Sequence, residues 1–221
     1  YTEVAVMRGL WMVSWFKDEF GLQERLRAAD SGEAPEELLE ELVRTVPAGA
    51  QGLVCQPYWT PGPDLDPFAK GAVFGFGDVH TRAHLYRAIL EGIVFALKDG
   101  AILTQRKTGV PITTVRATGG GSRSDSIMQM TADIFDRPTY RPHTPETSVV
   151  GAAIDAAVGM GAYSDVAAAV AEMTRLGDEF TPDVATRDLY RELYEHVYAK
   201  TYGALRPLYK EIQRITGYPK L

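Results

Sequence analysis

The run of residues 113–135, TTVRATGGGSRSDSIMQMTADIF, constrains the fold more than any other part of the sequence. A β-branched segment enters three consecutive glycines, and a polar turn then opens a segment whose apolar residues recur at helical spacing. This order predicts a strand, an exposed loop and a helix N-terminus. Glycine lacks the Cβ atom that would block close approach, and the first N–H groups of a helix lack intrahelical acceptors. Such a turn can hold a phosphate or a ribose. A plain strand-to-helix connection, capped by Ser122 or Ser124, fits the same residues.

The composition is that of a globular protein with little affinity for nucleic acid. Of the 221 residues, 45% are hydrophobic and 24% charged, which suffices for one sizeable core or two small ones. The net charge of −6 lacks the basic excess that a phosphate backbone attracts, so no nucleic-acid partner is expected.

Cysteine content and hydropathy give a first expectation of location. The single cysteine, Cys55, excludes an internal disulfide, and we expect a small buried residue in a reducing, cytoplasmic compartment. No apolar run approaches the ~20 residues that a membrane span requires, and no signal sequence opens the chain. Tyr1 is not an initiator methionine, so we expect the sequence to begin within a longer protein.

Periodicity and turn residues predict many helices and few strands. The predicted helices cover residues 9–20, 35–46, 81–107, 124–135, 147–160, 165–174 and 186–216, and the predicted strands cover residues 52–56, 70–76 and 112–117. The proline-rich residues 57–67 predict an ordered loop or lid. Pro207 is expected to kink or divide the last helix. Together these elements predict a mixed α/β domain.

Three helices carry patterns that predict how they pack. The expected stripes are an apolar one of Leu85, Ile89, Ile93 and Leu97, a small-residue one of Ala152, Ala153, Ala156 and Ala157, and an aromatic one of Tyr190, Tyr194, Tyr198 and Tyr202. Residues three or four apart share one helix face, so the first stripe should meet the core. The alanines suit close packing, and the tyrosines suit a core stripe with a solvated rim.

Several stretches resemble the FGGY family of carbohydrate kinases. Residues 71–91 resemble the second family signature, with Phe76 in place of a usual aliphatic residue and the restricted positions occupied by Gly71, Gly75, His84, Ala88 and Glu91. The stretch around Gly119 resembles the adenosine-binding loop of the family, and residues 146–153, ETSVVGAA, resemble the helix that follows it. The sequence Tyr58-Trp59-x-Pro61 ahead of Lys70-Gly71 also fits. The resemblance extends over about residues 9–212.

The resemblance implies both a fold and a reaction. FGGY kinases have two lobes of ribonuclease-H-like, actin-like architecture with ATP between them. Residues 1–221 resemble a single C-terminal, nucleotide-binding lobe, an α/β lobe with a mixed sheet flanked by several helices. The implied reaction transfers the γ-phosphoryl group of ATP to a sugar or polyol hydroxyl, with Mg²⁺ held mainly through the phosphates and the other lobe.

The lobe that this sequence lacks holds the catalytic base and most sugar contacts in the family. We therefore assign no catalytic residue and no metal ligand, and we expect the isolated chain to be inactive. The resemblance leaves the identity of the sugar and the formation of a homodimer open.

The resemblance also implies the residues that contact the nucleotide. Gly119, Gly120 and Gly121 should run beside the ribose and the α-phosphate. Ser124 and Asp125 stand where the family often carries Asn near the adenine. Asp125 could accept a hydrogen bond from the adenine amino group or cap the helix.

A second loop, with Gly75, Gly77 and Asp78, corresponds to one that the family places against the nucleotide. The same three residues could instead form a structural turn.

Other polar residues have less specific interpretations. The four histidines, His80, His84, His143 and His196, lack the spacing of metal ligands. Arg123 could pair with a phosphate or remain solvated, and Glu146 could approach the nucleotide or simply begin a helix.

Two other function classes remain. A dinucleotide-binding domain would use Gly119-x-Gly121-x-x-Ser124, in which the third glycine is missing. A non-catalytic actin-like module would bind nucleotide without phosphoryl transfer.

Overall fold

The structure is a computed structural model that describes residues 5–59 and 66–218. The α-helices of this part are α1 (Trp11–Phe20), α2 (Leu22–Ser31), α3 (Pro35–Arg44), α4 (Arg82–Thr108), α5 (Asp125–Phe135), α6 (Thr147–Gly159), α7 (Val166–Met173), α8 (Val184–Leu193) and α9 (Ala199–Thr216). The strands are β1 (Val54–Gln56), β2 (Ala72–Phe74), β3 (Val115–Arg116), β4 (Thr139–Pro142) and β5 (Leu176–Phe180). The mixed α/β class predicted from the sequence is confirmed.

The chain divides into two compact units. The first unit contains residues 5–59, 66–111 and 184–218, and the second contains residues 112–183. Of the proline-rich segment predicted as a loop or lid, residues 60–65, including Pro61, lie outside the described residues. No helix in the described part of the chain has the length and apolar character needed to cross a membrane.

The long helix α4 is the centre of the first unit. It begins with a capping box at Thr81 and ends at Gly109 in the left-handed conformation. Every residue from 88 to 96 is buried, so the middle of α4 is covered on all sides. The predicted stripe is therefore wrong at its C-terminal end, because Ile89 is fully buried whereas Leu97 is 42% exposed.

The predicted tyrosine stripe forms part of the core of the first unit. Tyr190 and Tyr198 are buried, and their rings lie 5.9 and 4.9 Å from the ring of Phe95 on α4. Pro207 lies inside α9 and does not divide it, so the prediction of a division there is wrong. Pro207 is exposed, which allows water to bond the carbonyl group that lacks its helical donor. The interruption lies earlier, where Tyr194–Tyr198 form a π-helical turn between α8 and α9.

A left-handed turn precedes the short antiparallel pair of β1 and β2. Gly49, Ala50, Gln51 and Gly52 all have positive φ angles, of 79°, 46°, 51° and 91°. We refer to these four residues as the left-handed turn. In β1, Cys55 is buried, and burial raises the pKa of its thiol to about 12, as expected of a small core residue.

A buried ion pair on α4 holds the left-handed turn. The carboxylate of Glu91 accepts hydrogen bonds from the backbone N–H of Gly49 at 2.9 Å, from Arg87 Nε at 2.8 Å and from the Tyr190 hydroxyl at 2.7 Å. Burial raises the pKa of Glu91, while the charge of Arg87 opposes this shift. With these partners, the buried carboxylate fixes where the turn begins.

The second unit is built on a small mixed sheet of β3, β4 and β5. Strand β3 runs parallel to β4, and β4 pairs antiparallel with β5. Helix α5 packs against β4 and β5, and its buried residues include Met128, Ala132 and Ile134. The strand predicted at residues 112–117 is only two residues long, and β4 and β5 were not predicted.

Helices α6 and α7 pair with each other in the second unit. Ile154 on α6 and Ala169 on α7 are their buried residues. The alanine face of α6 was expected to pack closely, and this is wrong for Ala152, Ala153 and Ala156, which are exposed. Their side chains lie on the side of α6 that no described residue covers.

Candidate functional site

The glycine-rich stretch forms a tight turn that leads into α5. Gly119 has φ 80° and ψ −168°, which favours glycine, and its carbonyl group accepts from Ser122 N at 3.1 Å and Ser122 Oγ at 2.8 Å. Gly120–Arg123 form one 3₁₀ turn. The Ser124 hydroxyl then accepts from Ile127 N at 3.1 Å, so Ser124 is the N-cap of α5. The alternative cap, Ser122, instead bonds back to Gly119.

The backbone of this turn is open to a ligand. A Cβ atom added at Gly120 would meet no atom within 4 Å, and Gly120 is exposed. The N–H groups of Gly120 and Gly121 have no acceptor among residues 5–59 and 66–218. Two open donors ahead of a helix N-terminus have the geometry that anion binding by the main chain requires.

Asp125 occupies the first position of α5, where a negative charge interacts favourably with the helix dipole. Its carboxylate pairs with Arg141 of β4, which also lies 3.5 Å from Asp178 Oδ2 and 5.0 Å from the ring centre of Phe180. The interpretation of Asp125 as the helix cap is wrong, because Ser124 fills that role. The paired guanidinium partly neutralises the negative charge of Asp125.

The start of α6 adjoins the same turn. The N–H of Gly119 donates to the carbonyl oxygen of Pro145 at 3.3 Å, and Arg123 pairs with Glu146 at 2.9 Å. Both side chains of that pair are about two-thirds exposed (67% and 64%), so the pair contributes little to stability. The stretches that resemble the adenosine loop and the following family helix therefore meet in the second unit.

The three other predicted site residues belong to the first unit. Gly75 has φ 95°, and a Cβ atom added there would lie 2.3 Å from the carbonyl oxygen of Gly52. The N–H of Gly77 donates to His80 Nδ1 at 2.7 Å, and Asp78 is exposed. The fold of the first unit thus accounts for Gly75 without a ligand. Gly119, Gly120, Gly121, Ser124 and Asp125, in contrast, come together at one turn.

Gln51 is a residue that the sequence patterns did not indicate. Its main-chain oxygen lies 3.3 Å from His80 Nε2, and its side-chain oxygen lies 2.6 Å from His84 Nε2. Its only signal is the pair of glycines on either side of Ala50 and Gln51. Within residues 5–59 and 66–218, no group of three or more His, Cys, Asp or Glu side chains could hold a metal ion.

Comparison with known proteins places the chain among carbohydrate kinases. Residues 8–160 match the family model described as the FGGY family of carbohydrate kinases, C-terminal domain. The uncharacterized sugar kinase YgcE of Escherichia coli is 34% identical over 206 residues, which are 89% of this chain and 41% of that protein. The xylulose kinase of Bacillus subtilis is 31% identical over 209 residues, which are 91% of this chain and 39% of that protein.

A solved structure gives the same result for the fold. The crystal structure of xylulose kinase from Rhodospirillum rubrum is similar with a TM-score of 0.70 and 36% identity, covering 89% of this chain and 38% of that one. This likeness confirms the predicted α/β lobe of actin-like, ribonuclease-H-like architecture. The chain spans about two-fifths of the length of the relatives it matches. On this evidence the chain belongs to the FGGY family of carbohydrate kinases, whose C-terminal domain it matches.

Proposed function

We propose that this chain is the nucleotide-binding lobe of a kinase that transfers the γ-phosphoryl group of ATP to a sugar or polyol hydroxyl. Family membership supports the class of reaction. The observation that carries the proposal for this chain is the turn at exposed Gly120 and half-buried Gly121, with two N–H donors ahead of α5 that have no acceptor among the described residues. Both compact units are proposed to belong to this single lobe.

The proposed nucleotide lies along this turn. The ribose and the α-phosphate would run beside Gly119, Gly120 and Gly121, and a Cβ atom added at Gly119 or Gly120 would meet no atom within 4 Å. The adenine would lie near Ser124 and Asp125. Ser124 already caps α5, so in this arrangement Asp125 is the residue with an oxygen to offer the adenine amino group.

The remaining components are proposed to come from outside the described residues. Mg²⁺ would arrive bound to the phosphates of the nucleotide, because it prefers oxygen ligands and is commonly held through substrate phosphates. Phosphoryl transfer depends on aligning the acceptor hydroxyl with the γ-phosphate. We propose that the rest of the longer protein binds the sugar or polyol and provides the base.

A glycine substitution tests the proposal. Gly120→Ala should fold normally, because the added methyl group meets no protein atom within 4 Å, but it should occupy the ligand's place. We expect ADP affinity, measured by isothermal titration calorimetry on the 221-residue chain, to fall about tenfold or more, the effect of losing roughly 1.4 kcal/mol of binding energy.

Gly203→Ala is the matched control, since Gly203 lies on α9 in equally open space. It should bind ADP like the unmodified chain. Equal affinity of Gly120→Ala and the unmodified chain would show that the turn is only a structural connection. NAD should produce no binding signal, and a signal would favour a dinucleotide-binding domain instead.

A further inference from the structure

Arg141 on β4 holds two acidic side chains of the second unit. Its Nη2 donates to Asp125 Oδ1 at the start of α5, and its Nη1 lies 3.5 Å from Asp178 Oδ2 of β5. The guanidinium lies 5.0 Å from the ring centre of Phe180, and only 20% of the Arg141 side chain is exposed. Its Nε donates to no described residue. The two carboxylates and the aromatic ring therefore fix the orientation of this guanidinium.

An irregularity in the sheet lies opposite Arg141. Between two successive residue pairs of β4 and β5, β4 contributes Arg141 alone, whereas β5 contributes both Gly177 and Asp178. A bulge of this kind changes the direction of the side chains near it. Here the carboxylate of Asp178 lies within reach of the guanidinium. The backbone of the sheet thus contributes to the placement of Arg141.

The two carboxylate oxygens of Asp125 differ in their partners. Oδ1 accepts from Arg141, whereas Oδ2 accepts from no group among residues 5–59 and 66–218. The Asp125 side chain is 60% exposed, and Asp125 stands only four residues after Gly121 in the chain. Asp125 therefore presents one open acceptor next to the glycine-rich turn.

The number of open oxygens matters for the recognition of a purine base. Guanine carries two adjacent donors, the N1–H and the 2-amino group, and a carboxylate with two open oxygens can accept from both. Adenine carries a single donor group, the 6-amino group, and requires one acceptor. A carboxylate that already accepts from a guanidinium through one oxygen therefore matches adenine better than guanine.

We propose that Arg141 is a positioning residue that gives the nucleotide site a preference for adenine over guanine, acting through Asp125. Its bond to Oδ1 leaves Oδ2 as the acceptor for the 6-amino group of adenine and withholds the second acceptor that guanine requires. This inference rests on the proposed function, which places the base near Asp125. All of these residues belong to the second unit.

Arg141→Met is the variant that frees Asp125. Methionine is unbranched and apolar, so it can still pack against Phe180, but it has no donor and no charge. Both oxygens of Asp125 are then open to a ligand. Arg175→Met is the matched control, because Arg175 is an exposed residue of the same unit whose side chain makes no hydrogen bond within the described residues.

The ratio of ADP affinity to GDP affinity measures the preference. By isothermal titration calorimetry, the unmodified chain should bind ADP about tenfold more tightly than GDP, the effect of one charge-assisted hydrogen bond. Arg141→Met should lower this ratio about tenfold, whereas Arg175→Met should leave it unchanged. Repulsion between the freed carboxylate and the phosphates weakens both nucleotides alike, so it cancels in the ratio.

A double-mutant cycle tests whether Arg141 acts through Asp125. Asp125→Ala removes the acceptor at an exposed position, so the ratio should fall to about one. Adding Arg141→Met to Asp125→Ala should change the ratio no further, because the residue through which Arg141 acts is gone. A further fall of similar size would show that Arg141 meets the base directly and would overturn the positioning role. Asp125→Ala also provides a test that does not require Arg141→Met to fold.

The outcomes separate the two proposals. Equal affinities of the unmodified chain for ADP and GDP, or a ratio that Arg141→Met leaves unchanged, would overturn the role of Arg141 while nucleotide binding stands. An unmodified chain that binds neither nucleotide would overturn the proposed function, and the base preference with it. That result is visible before any variant is measured.

Discussion

At the residue scale, glycines in this chain are required for two different physical reasons. Gly75 combines a positive φ angle with a backbone approach so close that a Cβ atom would lie 2.3 Å from Gly52 O. Gly120 has neither restriction, since a Cβ atom there meets nothing within 4 Å. The fold explains the first glycine, whereas for the second we propose that a ligand takes the space a side chain would fill.

Gly75→Ala should therefore destabilise the chain even without a ligand. A strained backbone and a clash with main-chain atoms that cannot move aside should cost at least about 1–3 kcal/mol. Gly203→Ala should instead stabilise α9 by about 0.5–1 kcal/mol, because alanine favours a helix. Urea unfolding followed by circular dichroism measures both. A Gly75→Ala midpoint equal to that of the unmodified chain would show that the loop yields easily.

The residues of the glycine-rich turn could be predicted, whereas the contacts of Gln51 could not. The sequence signal for Ser124 is local, because a residue type that favours the N-cap stands just before an apolar periodic segment. Gln51 contacts residues about thirty positions away, and its left-handed conformation is unusual for its residue type. No periodicity or propensity encodes such a contact, which exists only once the chain has folded.

At the element scale, the sequence revealed helices whose ends carry local signals. α3 begins at Pro35 with two glutamates in its first turn, and Asp165 caps α7. α2 was not predicted because its apolar residues are exposed and its buried residue is charged, the reverse of the usual amphipathic pattern. Leu22 and Leu26 are each 59% exposed, and its buried residue is Glu24, which pairs with Arg82 at 2.8 Å.

The strands of the second unit were missed for a different reason. β5 has the sequence LGDEF, with no residue fully buried and no alternation of polar and apolar side chains. Its stability comes from backbone hydrogen bonds to β4, which the side-chain pattern does not record. β4 ends at a proline and shifts register near Tyr140, so it too lacks a regular signal.

Two substitutions on α4 test the corrected orientation of that helix. Ile89→Ala should cost about 2–5 kcal/mol of unfolding free energy, because Ile89 is fully buried and its removal leaves a cavity. Leu97→Ala removes a side chain that is 42% exposed, so it should cost about 1 kcal/mol or less. Guanidinium unfolding compares the two directly. Similar losses would mean that Leu97 is covered in solution.

At the scale of the whole molecule, the chain matches only part of each of its kinase relatives. It spans about two-fifths of its relatives, and large apolar side chains such as Met160 (81% exposed) and Val149 (66% exposed) face outward. Phosphoryl transfer requires the acceptor hydroxyl, a base and the γ-phosphate to be aligned. On the proposed function, this lobe binds only the nucleotide and so cannot provide that alignment.

The isolated 221-residue chain should accordingly catalyse no phosphoryl transfer. With Mg-ATP and a panel of pentoses, hexoses and polyols, a coupled assay should detect no sugar-dependent ADP release. A longer polypeptide that joins this chain to a sugar-binding lobe should release ADP with one or more of them. Turnover by a pure sample of the short chain would place a catalytic base within it, with Asp78 and Asp125 as the first carboxylates to substitute.

The π-helical turn at Tyr194–Tyr198 determines which side chains of α8 and α9 point toward the core. Tyr190 and Tyr198 are eight residues apart, a spacing that would separate them by about 80° around a regular α-helix of 3.6 residues per turn. The π turn is wider than a regular α-helical turn and reduces this angular separation. Both rings therefore contact Phe95. Tyr209, about three regular turns beyond Tyr198, then bonds to Gln56 at 2.8 Å. Removing one residue from the π turn would rotate α9 by about 100° and carry Tyr209 away from the core.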